Sequence, residues 1–312
     1  MLTKLIFKST FLLNIYSYSL LFAVIFIQRR LLYTDGTLIN HLLESLIFFG
    51  LLSTIIKTYN DWIIKHKEYY LQESLHHAQK DNMHMFLFPS IISILPLEIY
   101  DLKFILAFTF MLFAFRKLTA FIFKPINNFE ILKCGIFVGV FTYLIGPLFI
   151  YGIFVFCGIF LLSRGSFDKI VSFLIPVPII FFLFYTTNTF FNLDIPAYQN
   201  MEIDKNYYQF FKEIKGIIFL IYLFFTGFLF FLINPFNLLM TERRIYFGRL
   251  AFLILTITFV YYIKNTKALL IFIPSIIFSK EILISKIKNF FIKELFLWTI
   301  LLFTIISIIY PF

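Results

Sequence analysis

Charge is what this sequence has least of. Only 14% of its 312 residues are Asp, Glu, Lys or Arg, where a soluble globular chain carries about 25%. Cysteine is nearly absent too. Cys134 and Cys157 are the only two, which excludes a disulfide-built secreted scaffold, and both read as reduced thiols in or beside apolar segments. Several chemical signatures are missing. There is no phosphate loop, so no built-in ATPase, and no H-E-x-x-H, so no zinc-protease motif. No pair of histidines suits haem, and no TVGYG-like filter marks an ion channel. A G-x-S-x-G-like nucleophile site with a later histidine in a span is also lacking. No A-x-A-like cleavage site follows the first apolar stretch, which runs into Arg29 and Arg30, so that stretch reads as an uncleaved span.

Apolar residues fill the space. They make up 61% of the chain, with 48 Phe and 18 Tyr, and mean hydropathy is +0.90. Apolar runs recur from residue 11 to residue 310. That excludes a soluble enzyme and a disordered chain. In lipid an open strand leaves its backbone groups unpaired, so helices are the expected element. A transmembrane barrel would need alternating polarity, and these runs are apolar on every side. The expectation is an all-α polytopic transmembrane bundle, one integral membrane domain over 1–312, with about 11 spans (10–12) and short loops. The spans fall near 11–27, 41–57, 83–98, 102–116, 131–146, 148–163, 169–188, 215–234, 246–263, 267–279 and 293–310. Of these, 83–98 and 267–279 are short enough to be half-spans or interfacial segments. Residues 58–82 mix aromatic and charged side chains and read as an interfacial helix.

The net charge is +10. Its basic residues are scattered between apolar runs rather than gathered on a polar domain, so membrane lipid is the expected partner and nucleic acid is not. With the N-terminus inside, 19 of the 27 basic residues fall on cytoplasmic segments, among them Lys65, Arg116, Lys117, Lys133, Lys169 and Lys286. Eleven spans then put the C-terminus outside. Lys264 and Lys267 are the local exception.

Candidate functional residues follow from that layout. Asp35, Glu44, Glu98, Asp101, Asp194, Glu202, Asp204 and Glu213 fall on the outer side. Of these, Asp35, Glu44, Asp101 and Asp194 are the catalytic candidates: an outward carboxylate serves as a general base in lipid-linked glycosyl transfer. The competing reading is that outer loops simply need no basic excess. His41 and Glu44 stand three apart on one helix face. Arg116-Lys117 closes a span and suits a lipid phosphate or a positive-inside anchor. Gly135 and Gly139, four apart, have the spacing of close helix packing. His76, His77 and His84 fit no tight ligand pattern, so no metal and no cofactor are expected. Pro147, Pro176, Pro178, Pro235 and Pro274 are candidate helix breakers.

Three segments carry a resemblance: KLIFKSTFLLNIYSYSLLF at the start, LKFILAFTFMLFAFRKLTAF ending in Arg116-Lys117, and the block from FEILKCGIFVGVF to LIPVPIIFF. Together they resemble a family of uncharacterised polytopic inner-membrane proteins of about 300 residues in Bacteroidota. Gly135, Gly139, Tyr143, Arg164 and Pro176 would match its Gly-spaced helix pair, basic turn and Leu-Ile-Pro helix. The short turn departs from it, with Ser166-Phe167-Asp168 in place of a Trp. The resemblance implies a bacterial cytoplasmic membrane and brings no catalytic residues.

Three functions remain open. The first is an accessory or structural subunit of an envelope system, partnered by lipids and other envelope membrane proteins. The second is a transferase or polymerase acting on polyprenyl-linked glycans at the outer face. The third is a transporter or flippase for a lipid or small solute, although no internal repeat supports an inverted-repeat transporter.

Overall fold

A computed structural model of the chain describes residues 10–32, 38–71, 83–96, 99–122, 126–163, 165–191, 204, 206–232, 240–277 and 290–309. These residues are helical almost throughout. The helices are α1 (Thr10–Leu32), α2 (Leu38–Leu71), α3 (Met83–Ile94), α4 (Leu102–Ala120), α5 (Asn128–Leu144) and α6 (Phe149–Leu162). They continue with α7 (Phe167–Leu174), α8 (Pro176–Phe191), α9 (Asn206–Phe210), α10 (Ile214–Leu232), α11 (Met240–Ile263) and α12 (Phe290–Ile309). Two 3-10 helices, Gly146–Leu148 and Thr266–Phe272, complete the set. The chain divides into two compact units. The first comprises Met1–Tyr100, Ile203–Asn237 and Phe247–Phe312, the second Asp101–Glu202 and Leu238–Tyr246.

The expected bundle of about 11 spans is not what the described residues build. Three helices among them are long and apolar enough to cross a membrane: Ile39–Thr58, Phe167–Phe191 and Arg243–Ile263. They correspond to the expected spans 41–57, 169–188 and 246–263. Shorter apolar stretches cover Ser17–Gln28, Gly146–Leu162, Ile214–Phe228, Thr266–Ile277 and Leu297–Ile306. The chain is thus a largely helical protein with a few helices fit to cross a membrane.

Helix length accounts for two of the expected spans, 83–98 and 148–163. A helix rises about 1.5 Å per residue and the hydrocarbon layer is about 30 Å thick. The 12 residues of α3 cover only about 18 Å. The 14 of α6 cover about 21 Å. Breakers set these limits. Ile145 turns extended, and Gly146-Pro147 opens a 3-10 turn between α5 and α6, since proline fits a first turn but not a helix interior. Pro176 does not break its helix: Ile175 keeps helical dihedrals, and α7 runs on into α8. The interfacial helix expected over 58–82 is also corrected. Residues 58–71 continue α2, a single helix of 34 residues, and 72–82 lie outside the described residues.

In the first unit α3 packs against α1, α2, α10 and α12. Every residue from Leu87 to Pro96 is buried, as befits a helix that is apolar all round. A polar tie closes its end. The Tyr100 hydroxyl donates to Gln28 Oε1 at 2.5 Å, and Gln28 Nε2 donates to the Ser93 carbonyl at 3.1 Å. Gln28 is buried, so both of its polar atoms need these partners. Residues 268–277 are likewise buried throughout.

The second unit is a set of helices laid in alternating directions. α4 and α5 form a hairpin, with Phe137 against Phe110 and Phe113. α6 runs alongside α4, with Phe115 on Tyr151 and Phe154. α8 runs alongside α5, where Tyr143 stacks on Phe184 with ring centroids 4.6 Å apart. Close approach depends on glycine. A Cβ at Gly135 would lie 2.3 Å from the Phe173 carbonyl oxygen, and one at Gly139 3.0 Å from Ile180 Cβ.

Candidate functional site

The directions of these helices bring the end of α4, the start of α5, the end of α6 and the start of α7 to one end of the second unit. Arg116, Lys117, Lys133 and Lys169 all lie there. At its centre is a carboxylate shared by two amines. Glu130, in the first turn of α5, accepts from Lys117 across the hairpin and from Lys133 one turn on, the latter at 2.7 Å. These bonds, Lys117 first, hold the Glu130 carboxyl below the usual carboxylate range, because they favour its charged form. Lys133 Nζ also stands 4.2 Å from the centroid of the Phe129 ring, within cation–π range. The three charged side chains are each about one-third exposed. Asn127 caps α5 by accepting from the Phe129 N–H, which fixes the helix start and hence where Glu130 and Lys133 stand.

Large apolar side chains project at the same end. Phe129 is 60% exposed, and Leu161 and Phe167 are each 76% exposed. Cations set among exposed rings and aliphatics suit the headgroup level of a membrane, where a lysine stem lies along apolar surface and its amine reaches water. The opposite end of the unit differs. There Asp101 caps α4 by accepting from the Lys103 and Phe104 N–H groups at 2.9 and 3.2 Å.

The remaining sequence candidates are dispersed. Glu44 is exposed on α2, with His41 buried three residues before it. Asp204 is engaged within the first unit: it accepts from the Thr266 hydroxyl at 2.5 Å, and its N–H donates to the Lys264 carbonyl at 3.0 Å. Asp35, Glu98, Asp194, Glu202, His76 and His77 lie outside the described residues. Among the described residues no group of three His, Cys, Asp or Glu side chains could hold a metal ion.

Sequence reasoning paired Arg116 with Lys117 and missed Glu130 as the partner that organises the site. The signal was there, since Glu130 and Lys133 stand three apart on a helix. The reach of Lys117 across the hairpin was not visible, because it depends on how α4 and α5 pair. The Gln28–Tyr100 tie was missed for the same reason. Compared with known proteins, the chain matches no family model, no curated protein and no solved structure.

Proposed function

We propose that this protein is an accessory or structural subunit of a bacterial envelope system, seated in the cytoplasmic (inner) membrane. Its Lys117–Glu130–Lys133 end faces the cytoplasm, and its partners are membrane lipids and other envelope membrane proteins. The observation that carries this reading is the helix Phe167–Phe191, of which only Phe173 and Pro176 are buried. Ile179, Phe182, Leu183, Phe190 and Phe191 all face outward. The threonine hydroxyls on that helix make no outward demand: Thr186, Thr187 and Thr189 donate to carbonyls three or four residues back. Such a surface suits lipid or an apolar partner helix. The carboxylates of Asp101, Glu130 and Asp204 are taken up as a cap, an ion pair and a loop tie, which favours a supporting role over proton transfer. The bacterial setting rests on the resemblance described above, and the orientation on the basic residues gathered at the Lys117–Glu130–Lys133 end. The cytoplasmic N-terminus and the external C-terminus were both placed by the layout of 11 spans, a count that the described residues do not build.

A photo-crosslinking amino acid at Phe182 or Phe190, used in native membranes, tests the subunit reading. A discrete protein adduct is expected; adducts with lipid alone would overturn it. Asp→Asn and Glu→Gln changes at Asp35, Glu44, Glu98, Asp101, Asp194 and Glu202 test the transferase class. All six should leave envelope glycans unchanged, and one null variant at normal abundance would restore that class.

A further inference from the structure

We propose that the Lys117–Glu130–Lys133 end of the second unit binds the phosphate headgroup of an anionic phospholipid. The inference rests on the membrane reading above and names the partner of that end. Two amines share one carboxylate, so the cluster keeps one net positive charge after its internal pairing. Lys169 stands at the same end beside Asp168, and those two charges offset one another. The local balance is therefore positive, and a phosphodiester complements it. Two helix N-termini, those of α5 and α7, also open on this end. The positive ends of their helix dipoles add potential in the same place.

The apolar surroundings select a lipid over a soluble anion. Phe129 lies beneath Lys133 and is itself 60% exposed. Leu161 and Phe167 extend outward nearby. A headgroup over the lysines would lay its acyl chains along these side chains and bury them. Free phosphate would leave them in water. From Cys134 to Ser163 the chain has no charged residue, so this end forms the boundary between an uncharged body and a cationic rim. In this arrangement Glu130 is a positioning residue. It fixes both amines at a spacing that bare electrostatic repulsion would not hold.

The test uses the purified full chain in neutral detergent, with phosphatidylglycerol or phosphatidylcholine added and melting temperature read. Phosphatidylglycerol should raise the melting temperature by about 5 °C over phosphatidylcholine at saturation. Lys133→Gln should remove at least half of that difference, Lys133→Arg should keep it, and Lys103→Gln, at the opposite end, should leave it intact. Equal effects of the two lipids, or full retention in Lys133→Gln, would overturn the proposal. So would the same rise produced by inorganic phosphate or by an acidic peptide, which would assign the end to a free anion or to a protein. If Lys133→Gln does not fold, the wild-type protein decides: about 0.5 M NaCl should abolish the selectivity by screening, and its persistence would contradict the proposal. The crosslinking test reads a different surface. A failed lipid effect with an intact protein adduct removes this inference alone, and the reverse outcome removes only the subunit reading.

Discussion

Two stretches of this chain have nearly the same composition and opposite surroundings. From Leu87 to Pro96 every residue is buried within the first unit. Across Phe167–Phe191 in the second, only Phe173 and Pro176 are buried. Both are apolar on all sides, and both read as spans in the sequence. What separates them is length and how each is closed. α3 stops at Ile94 after 12 residues, ahead of Pro96, too short to cross and therefore better hidden by its neighbours. α7 and α8 pass through Ile175-Pro176 without a break and reach 25 residues. Hydrophobicity marks what avoids water, and lipid and protein interior satisfy it equally.

Substitutions that sharpen this contrast differ widely in size. The largest is expected at Phe88, which is 1% exposed. Phe88→Ala should cost about 3–5 kcal/mol, the range for an aromatic removed from a packed core. Phe182→Ala, at a position 66% exposed, should stay within about 0.5 kcal/mol. Denaturation of both variants in one detergent measures the difference, and similar losses would break the comparison.

Glycines give the next test, because they too divide by surroundings. Gly135 has the Phe173 carbonyl 2.3 Å from where a Cβ would stand. Gly135→Ala should therefore push α5 from α7 and cost about 1–3 kcal/mol by overpacking. Gly50 has nothing within 4 Å. There Gly50→Ala should gain about 0.5–1 kcal/mol through helix propensity. The same two-point comparison of unfolding midpoints checks the opposite signs.

Smaller again is the polar tie at the end of α3. Tyr100→Phe removes the donor to buried Gln28 and should cost about 0.5–1.5 kcal/mol. If stability is unchanged, the tie does not hold that end of the helix.

The smallest effect is electrostatic, at the second unit's basic end. Glu130 has a carboxyl held below its ordinary value by Lys117 and Lys133. A depressed folded-state pKa contributes stability above the unfolded value, about 4.3, and that contribution disappears as pH falls through the folded value. Melting temperature should thus fall more steeply below about pH 4 in wild type than in Glu130→Gln. Parallel curves would contradict this role for the ion pair.

The sequence reading succeeded where the signal was local. Helical character follows from apolar runs that lack alternation, and the breaker role of Pro147 appears where α5 ends. Gly135 and Gly139 were legible as a spacing, and the structure adds what stands against them. Burial was not legible. Nothing in MFLFPSIISIL tells a core helix from a membrane span except its brevity, and the layout counted it as a span. Pro176 misled in the other direction, since the helix Phe167–Phe191 passes it without a break although it stands in the helix interior. The candidate site was half legible. Arg116 and Lys117 stood out as a pair, while Glu130 is brought to Lys117 only by the α4–α5 hairpin.

The central claim is that similar apolar runs in this chain meet different surroundings: the protein's own interior for α3 and Thr266–Ile277, and for α7–α8 an outer surface that meets lipid when the purified chain stands alone. Photolabelling the unmodified protein in bilayers with a membrane-soluble carbene precursor, followed by peptide mapping, tests it without any substitution. Peptides from 167–191 should carry most of the label, and those from 87–96 and 268–277 should carry almost none. Equal labelling per residue across the three segments would contradict the account.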